Sequence, residues 1–467
     1  MSSSLKSSQQ HILSLFYTMV ILIEMPLMSS MKISVGSGFE SYSWLILTNF
    51  MIQTYVLYKT KGLVNFLYAF VAFYYVFHFG QVIMLGFFPW YDYDYMNYIT
   101  TYMMSNPGIL NETMVLCVNC INIFVLGALF CPVPHDKTKN LYSSYDYKKI
   151  CKYVFVILFS FRVILDAIDL VVAYYFGYSG TFESFLPGVF SALGLMGYSV
   201  IPLYYFSIDN PRRKRNFFYF ILIYLLFTML SGNRGHQLVC IIGLFIVHLT
   251  QTKLTPKTIL VLICATFAGL MFIDFIFDIR GEGLESLLNS KTKLSDSNES
   301  KNIILETLGT FGETIYTPFL VLDSYKEVNP FWGECFIKSL VSVIPDFTGT
   351  FKDLNNEAVF AKMVSSGHTI GGSFSGEMYY NFHNTYFIPT FILGYLFSML
   401  STKVSFYIKK GQLSQVYLSL PICVLFVWWI RDSIGNMTRE IVWLWLLFFM
   451  MKKIVARKKY AKSTTNT

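Results

Sequence analysis

The chain has 467 residues, of which 54% are hydrophobic, 18% aromatic and only 14% charged. A soluble protein of this length could not cover so much apolar surface with so few charges, which excludes an ordinary soluble enzyme. The net charge of +8 comes from short basic clusters between apolar runs, not from the single basic stripe of a nucleic-acid-binding domain. The composition therefore predicts a membrane protein with no nucleic-acid partner.

Apolar runs of membrane-spanning length recur along the whole sequence. A transmembrane helix needs about 20 apolar residues, and on this basis we predict an all-α, polytopic fold with roughly 12 transmembrane helices. The predicted spans cover residues 11–31, 42–58, 63–88, 113–134, 151–176, 188–208, 217–232, 235–251, 258–277, 385–401, 415–431 and 441–451. Residues 1–467 then form a single transmembrane domain.

Lysine and arginine are distributed unevenly among the segments that join these spans. If both termini are cytoplasmic, the inside segments carry the basic clusters, whereas the outside loops at 90–112 and 178–187 contain no Lys or Arg. Cytoplasmic loops of membrane proteins are enriched in these residues, so we predict cytoplasmic N- and C-termini. Residues 278–384 then form one long external loop between the ninth and tenth spans.

The external loop divides into two kinds of sequence. Residues 281–301 are charged and rich in Ser and Asn, which is typical of a surface loop. Apolar residues then recur at helical spacing from Ile304 onward, at Leu308, Phe311, Ile315 and Phe319. We expect an amphipathic helix that lies on the membrane surface or covers a cavity.

Five arginines lie outside the basic clusters. Arg162 falls in the middle of a predicted span, and four fall at predicted outer ends of helices, namely Arg234, Arg280, Arg431 and Arg439. A guanidinium stays charged and offers a planar fork that binds two phosphate oxygens at once. Each of the four either anchors a helix end at the interface or contributes to one anionic site. We favour a shared site for a lipid diphosphate.

The sequence SGNRGHQ, residues 231–237, joins two short spans and carries Arg234 and His236 toward the outer face. Its two glycines permit a tight turn. The segment is either a helix-breaking hairpin with an incidental charge or part of a functional site. An arginine kept where its desolvation is costly favours the functional interpretation.

The fifth predicted span carries three charged residues on one face. Arg162, Asp166 and Asp169 follow the spacing i, i+4, i+7, which brings them together on a helix. They are either a structural ion pair inside the membrane or the lining of a polar cavity beneath a functional site.

The sequence GGSFSGEMYYNFHN, residues 371–384, ends the external loop and leads into the tenth span. If it is helical from Phe374, one face carries Glu377, Tyr380, Asn381 and Asn384. A carboxylate here, beside His368 and His383, is a candidate general base for a sugar hydroxyl. The alternative is that Glu377 is a first-turn carboxylate stabilised by the helix dipole.

Two short patterns that bind metals in other proteins are interpreted differently here. Cys117 and Cys120 form a CxxC inside a span, with no second pair and no histidine nearby. Asp92 and Asp94 form a DxD in an external loop, where nucleotide sugars are absent. The tyrosine-rich sequence around this DxD favours contact with a sugar. We predict no metal site and no cofactor.

Three of these segments together resemble the bacterial polysaccharide repeat-unit polymerases, the O-antigen and capsule (Wzy-type) family. They are SGNRGHQ between two spans, GGSFSGEMYYNFH after the long external loop, and RDSIGNMTRE (residues 431–440) before the last span. By motif the resemblance covers the C-terminal half, and by topology the whole chain. It implies a GT-C-like, multi-pass protein of the bacterial cytoplasmic (inner) membrane.

The resemblance also implies an activity. A protein of this type is a metal-independent glycosyltransferase that moves a growing glycan from polyprenyl (undecaprenyl) diphosphate onto a new lipid-linked repeat unit. The implied diphosphate ligands are Arg234, Arg280, Arg431 and Arg439, and Glu377 or His368 would take the acceptor proton. Further substrate contacts are expected from Arg162, His236, Tyr380 and Asn381. The candidate partners are the lipid-linked oligosaccharide, the bilayer, a chain-length regulator and a flippase.

Two other functions remain open from the sequence. A flippase or transporter of lipid-linked oligosaccharide fits the number of spans, but the long external loop and the lack of an inverted repeat do not favour it. An O-antigen ligase, which moves finished glycan to a different acceptor, would share the same architecture.

Overall fold

In the computed structural model the chain is a bundle of α-helices, and the described residues contain no β-strand. The structure describes residues 3–33, 38–89, 102–103, 105–132, 144–180, 188–232, 235–252, 269, 302–325, 332–341, 343–345 and 372–464. The predicted all-α fold class is confirmed.

The N-terminal half consists of long helices. They are α1 (Ser3–Ser30), α2 (Phe39–Thr60), α3 (Phe66–Phe87), α4 (Pro107–Phe130), α5 (Ser144–Gly180), α6 (Gly188–Ser207), α7 (Pro211–Thr228) and α8 (Gly235–Gln251). Asparagine caps fix two of the starts. Asn65 precedes α3, and its side chain accepts a hydrogen bond from the Tyr68 amide of that helix. Asn210 precedes α7, and its side chain accepts bonds from two amides of that helix.

The C-terminal half alternates short and long helices. They are α9 (Ile303–Gly312), α10 (Tyr316–Tyr325), α11 (Glu334–Val341), α12 (Phe374–Phe382), α13 (Phe387–Lys409), α14 (Leu413–Val416), α15 (Ser419–Trp428) and α16 (Ile434–Thr464). The predicted ninth span, residues 258–277, lies outside the described residues. The predicted eleventh span differs, because it is divided into α14 and α15, with Pro421 in the first turn of α15, where a missing N–H removes no helical hydrogen bond.

Several of these helices have the length and apolarity of membrane spans. Four described helices meet both criteria: Ser8–Ser30, Phe66–Phe87, Pro107–Phe130 and Phe387–Lys409. Two shorter apolar helices are Gly235–Gln251 and Ser419–Arg431. The chain thus has the architecture of a polytopic helical membrane protein, whereas the number of spans and their sidedness stay predictions.

Hydrogen bonds between helix ends reveal an up-and-down arrangement of the first helices. Gln10, near the start of α1, and Lys61, after α2, both donate to the carbonyl oxygen of Cys131, after α4. At the other end of the same helices, the side-chain oxygen of Asn111, near the start of α4, accepts a bond of 3.1 Å from the Tyr42 hydroxyl of α2. Consecutive helices therefore run in opposite directions.

A buried polar network joins α1, α2 and α4. The Nδ2 of Asn122 donates to the carboxyl group of Glu24 (2.7 Å), and its Oδ1 accepts bonds from Tyr17 (2.8 Å), Asn49 (2.7 Å) and Gln53 (2.8 Å). All five side chains are buried. Such hydrogen bonds hold helices together where the surroundings are as apolar as the helices themselves.

Glycines bring α4 and α13 into direct backbone contact. A Cβ on Gly127 would lie 2.1 Å from the carbonyl oxygen of Phe391, and a Cβ on Gly394 would lie 2.0 Å from that of Phe124. Small residues at such crossings let two membrane helices approach closely enough for van der Waals attraction to hold them.

A second pair of glycines packs α9 onto α3. A Cβ on Gly80 of α3 would lie 2.5 Å from the carbonyl oxygen of Leu308, and one on Gly312 of α9 would lie 2.0 Å from the amide nitrogen of Gln81. The predicted helix from Ile304 is confirmed, with a short 3₁₀ segment between α9 and α10. Its apolar face packs against α3.

The glycine crossing of α4 and α13 yields a testable prediction. We expect Gly394→Val to destabilise the protein by about 2 kcal/mol or more, because neither backbone can move away within a packed bundle. Thermal unfolding in detergent measures the change. The control is Gly108→Ala in the first turn of α4, where a Cβ meets nothing within 4 Å. Equal unfolding temperatures for the two variants would show that the contact of α4 and α13 has room for a side chain, and would contradict the prediction.

Candidate functional site

The site rests on a layer of buried phenylalanines contributed by five helices. Phe70 of α3, Phe124 of α4, Phe374 of α12, Phe397 of α13 and Phe426 of α15 are all buried. Their ring centroids are separated by 4.0 to 6.3 Å, and the closest pair, Phe397 and Phe426, is stacked. The layer fixes where α12 begins, because Phe374 is its first residue.

Serines of the GGSFSGEMYYNFHN segment bind polar side chains of α3. The Oγ of Ser373 lies 2.8 Å from Nε2 of His78, and the hydroxyl of Ser375 is hydrogen-bonded to Tyr74. Ser373 also caps α12 by accepting a bond of 3.4 Å from the Gly376 amide. The start of α12 is therefore held between its own cap and a membrane helix.

Glu377 connects two of the three sequence motifs. Its carboxylate accepts a hydrogen bond of 2.7 Å from Nε1 of Trp429, and its two oxygens lie 3.1 and 3.0 Å from the amide nitrogen of Ile434. Ile434 is the first residue of α16, and amides at this position have no partner within the helix. Glu377 is only 6% exposed. Glu377 thus caps the N-terminus of α16. It also lies in the first turn of its own helix, α12.

The RDSIGNMTRE segment is bonded within itself around the start of α16. Asp432 accepts bonds from the Ser433 amide (2.8 Å) and from the side chain of Asn436 (3.0 Å). Arg439 donates to the Oδ1 of Asn436 (2.6 Å). The guanidinium of Arg431 lies 5.7 Å from the centre of the Phe77 ring. Arg431 thus precedes the N-terminus of α16 in the chain, and Arg439 lies in the second turn of this helix.

Arg162 forms a buried ion cluster. It bonds Asp166 with two of its nitrogens, and its Nη2 lies 2.9 Å from Asp169. Asp166 also accepts bonds from the hydroxyls of Tyr198 (2.8 Å) and Tyr224. The predicted clustering on one helix face is thus present in the structure, and Arg162 and Asp166 are both buried.

His236 lies between this ion cluster and the RDSIGNMTRE segment. Its ring centroid is 4.2 Å from that of Trp428 and 6.5 Å from that of Tyr198. The positive charges of Arg162 and Arg431 both act on the imidazole. The structure therefore brings part of SGNRGHQ, the charged face of α5 and the end of α15 into one neighbourhood.

The other residues predicted for the site fall into two groups, those that lie outside the described residues and those that are buried on α12. Arg234, Arg280 and His368 lie outside the described residues, as do Asp92 and Asp94. Tyr380 and Asn381 are buried beside Glu377 on α12, and the side chain of Asn381 donates to the Glu377 carbonyl oxygen (2.9 Å). Within the described ranges, no group of three or more His, Cys, Asp or Glu side chains could hold a metal ion.

Burial also affects a histidine at the end of α12. The ring of His383 stacks on Tyr379 at 5.0 Å. Burial lowers the pKa of the His383 imidazole below its ordinary value.

Sequence reasoning missed three residues of this neighbourhood. They are His78, which is bonded to Ser373, and the adjacent tryptophans Trp428 and Trp429. A buried tryptophan usually finds a partner for its N–H, so two tryptophans in succession at the end of an apolar run are a signal that could have indicated a polar neighbour.

The buried ion cluster predicts an asymmetry between two variants. Arg162→Met leaves Asp166 buried without its counter-ion and should destabilise the protein by about 3–5 kcal/mol. Asp169→Asn should have a much smaller effect, because the Asp169 side chain is 30% exposed. Thermal unfolding of both variants in detergent tests the difference, and equal losses would contradict the ion-cluster description.

Comparison with known proteins identifies the family. The family model described as "O-antigen polysaccharide polymerase Wzy" matches residues 11–462. No curated protein and no solved structure matches the chain. Because the family match covers nearly all of the sequence, including all three motifs of the site, the chain belongs to the O-antigen polysaccharide polymerase Wzy family.

Proposed function

We propose that the protein polymerises polyprenyl-diphosphate-linked oligosaccharide repeat units into O-antigen or capsular polysaccharide at the outer face of the cytoplasmic membrane. Membership of the Wzy family supports the role of an enzyme that acts on lipid-linked repeat units in the membrane. The observation that carries the proposal further is the contact of Glu377 with Trp429 and Ile434, since it joins a candidate base to a segment that carries two arginines.

In the proposed reaction a hydroxyl of the incoming repeat unit attacks the anomeric carbon of the growing glycan. The new C–O bond forms as the bond from that carbon to the diphosphate oxygen breaks, and the electron pair leaves with the diphosphate. Glu377, or His368, takes the proton of the attacking hydroxyl. The guanidinium groups of the proposed diphosphate site are Arg234, Arg280, Arg431 and Arg439. They stabilise the negative charge that develops on the leaving group, so the step needs no metal.

The arginines near the start of α16 support an anion site, since the helix N-terminus itself is already capped by the Glu377 carboxylate. Arg431 precedes this start in the chain, and Arg439 lies in the second turn of the helix. The ring of Phe77 restricts the orientation of the Arg431 guanidinium through a cation–π contact. Arg234 is two residues before His236 in the sequence, and His236 lies within the electrostatic field of Arg431.

The decisive experiment uses the purified full-length protein in detergent or nanodiscs with a synthetic polyprenyl-diphosphate repeat unit. We expect a ladder of products that differ by one repeat unit, formed with EDTA present and no added metal. Transfer of the lipid-linked unit across a vesicle membrane without any ladder would support a flippase. Transfer of glycan only to a different acceptor would support a ligase. The flippase result and the ligase result would each overturn the polymerase proposal.

The arginine site predicts the behaviour of conservative variants. Arg431→Lys and Arg234→Lys should abolish long glycan chains at unchanged protein level, because lysine keeps the charge but loses the planar fork. The matched control is Arg213→Lys, at the exposed start of α7, which should leave the chain-length distribution as it is. Normal ladders from both site variants would remove the arginine site from the proposal.

The role of Glu377 as a base can be separated from its role as a cap. Glu377→Gln should lower kcat by about 10²–10⁴-fold, whereas Trp429→Phe removes a hydrogen bond to the carboxylate and leaves the carboxylate itself. We therefore expect Trp429→Phe to keep most of the rate. Equal loss of rate in both variants, with equal loss of thermal stability, would show that Glu377 only positions α16.

A further inference from the structure

Three side chains next to the proposed active site carry buried polar atoms without a hydrogen-bond partner. They are both ring nitrogens of His236, both amide atoms of Gln237 and the Nε1 of Trp428, none of which is bonded within the described part of the chain. Leaving a buried polar group unsatisfied costs free energy. Five such atoms on three side chains are therefore a feature that requires an explanation.

His236 and Gln237 lie in the first turn of α8, and the Trp428 ring packs against that turn. The rings of His236 and Trp428 are 4.2 Å apart, and Gln237, next to His236, is only 1% exposed. A Cβ on Gly235 would lie 2.0 Å from the Trp428 ring, so the glycine is what allows the indole to approach the helix. Trp428 is followed directly in the chain by Trp429, the donor to the candidate base Glu377.

From this arrangement we infer that His236, Gln237 and Trp428 form a subsite for a sugar ring of the lipid-linked repeat unit. The inference rests on the proposed function and assigns to this cluster a ligand separate from the diphosphate. The unpartnered atoms point to the ligand class, because they include both donors and acceptors.

The chemistry of the unpartnered atoms matches hydroxyl groups. The Trp428 indole can only donate, the Gln237 amide donates and accepts, and a neutral imidazole has one donor and one acceptor nitrogen. A diphosphate can only accept hydrogen bonds, so it would leave the acceptors of Gln237 and His236 unsatisfied. A sugar hydroxyl both donates and accepts. The indole face is negative at its centre and fits the positively polarised C–H groups of a sugar ring.

The subsite is tested by binding and stability measured together. The probe is the soluble oligosaccharide of one repeat unit, freed of its lipid diphosphate, titrated calorimetrically into the full-length protein. Gln237→Met keeps the volume and shape of the side chain but removes its hydrogen bonds. We expect the Kd for the oligosaccharide to rise about tenfold, with no loss of thermal stability, because Gln237 has no partner to lose.

A partnered tryptophan supplies the matched control. Trp443 donates to the carbonyl oxygen of Val343 (2.7 Å), so Trp443→Phe should lower the unfolding temperature and leave oligosaccharide binding unchanged. Trp428→Phe should weaken binding with a smaller loss of stability than Trp443→Phe. The subsite is overturned if Gln237→Met binds the oligosaccharide with the wild-type Kd, or if it loses as much stability as Trp443→Phe.

Two further measurements separate this inference from the proposed function. Arg431→Lys should weaken the binding of inorganic pyrophosphate and leave the binding of the soluble oligosaccharide intact, whereas Gln237→Met should do the reverse. If wild-type protein binds the oligosaccharide through Gln237 but forms no ladder, the subsite stands and the polymerase proposal fails. If the ladder forms while Gln237→Met binds normally, the polymerase proposal stands and the subsite fails.

Discussion

The carboxylate of Glu377 at the N-terminus of α16 is the contact on which the arrangement of the site depends. A helix start leaves amides without partners, and burying them inside a membrane protein is costly unless another group accepts their hydrogen bonds. Glu377 accepts one of these bonds and one from Trp429. The contact therefore sets the position of α16 relative to α12, and with it the positions of the two arginines near the helix start.

Much of this architecture could be predicted from the sequence. Long apolar runs separated by basic clusters predicted the helices well, because the length of a span and its lack of charge depend only on the bilayer. The spacing of Arg162, Asp166 and Asp169 likewise predicted their contact, since it follows from the geometry of a single helix. The interruption between α14 and α15 was missed, because the apolar run around it resembles one continuous span, although Pro421 in the first turn of α15 marks a helix start.

The contacts between distant segments could not be predicted in the same way. Glu377 is far in the sequence from Trp429, and Ser373 is farther still from His78, so no periodicity relates them. The unpartnered atoms of Gln237 and Trp428 become visible only when the surrounding helices are in place. Sequence reasoning identified the residue types suited to a diphosphate, but the residues that distinguish a sugar hydroxyl from a phosphate depend on packing.

The glycine contact between α3 and α9 has a consequence for how the protein is assembled. Gly80 leaves a notch in the surface of α3 that only the backbone of α9 fills, yet α9 is synthesised long after α3 has entered the membrane. Until α9 has been made and has packed against α3, Gly80 lacks this partner, so this contact of the bundle forms late in biogenesis. Exchanging α9 between relatives would therefore require the facing glycine of α3 to be exchanged with it.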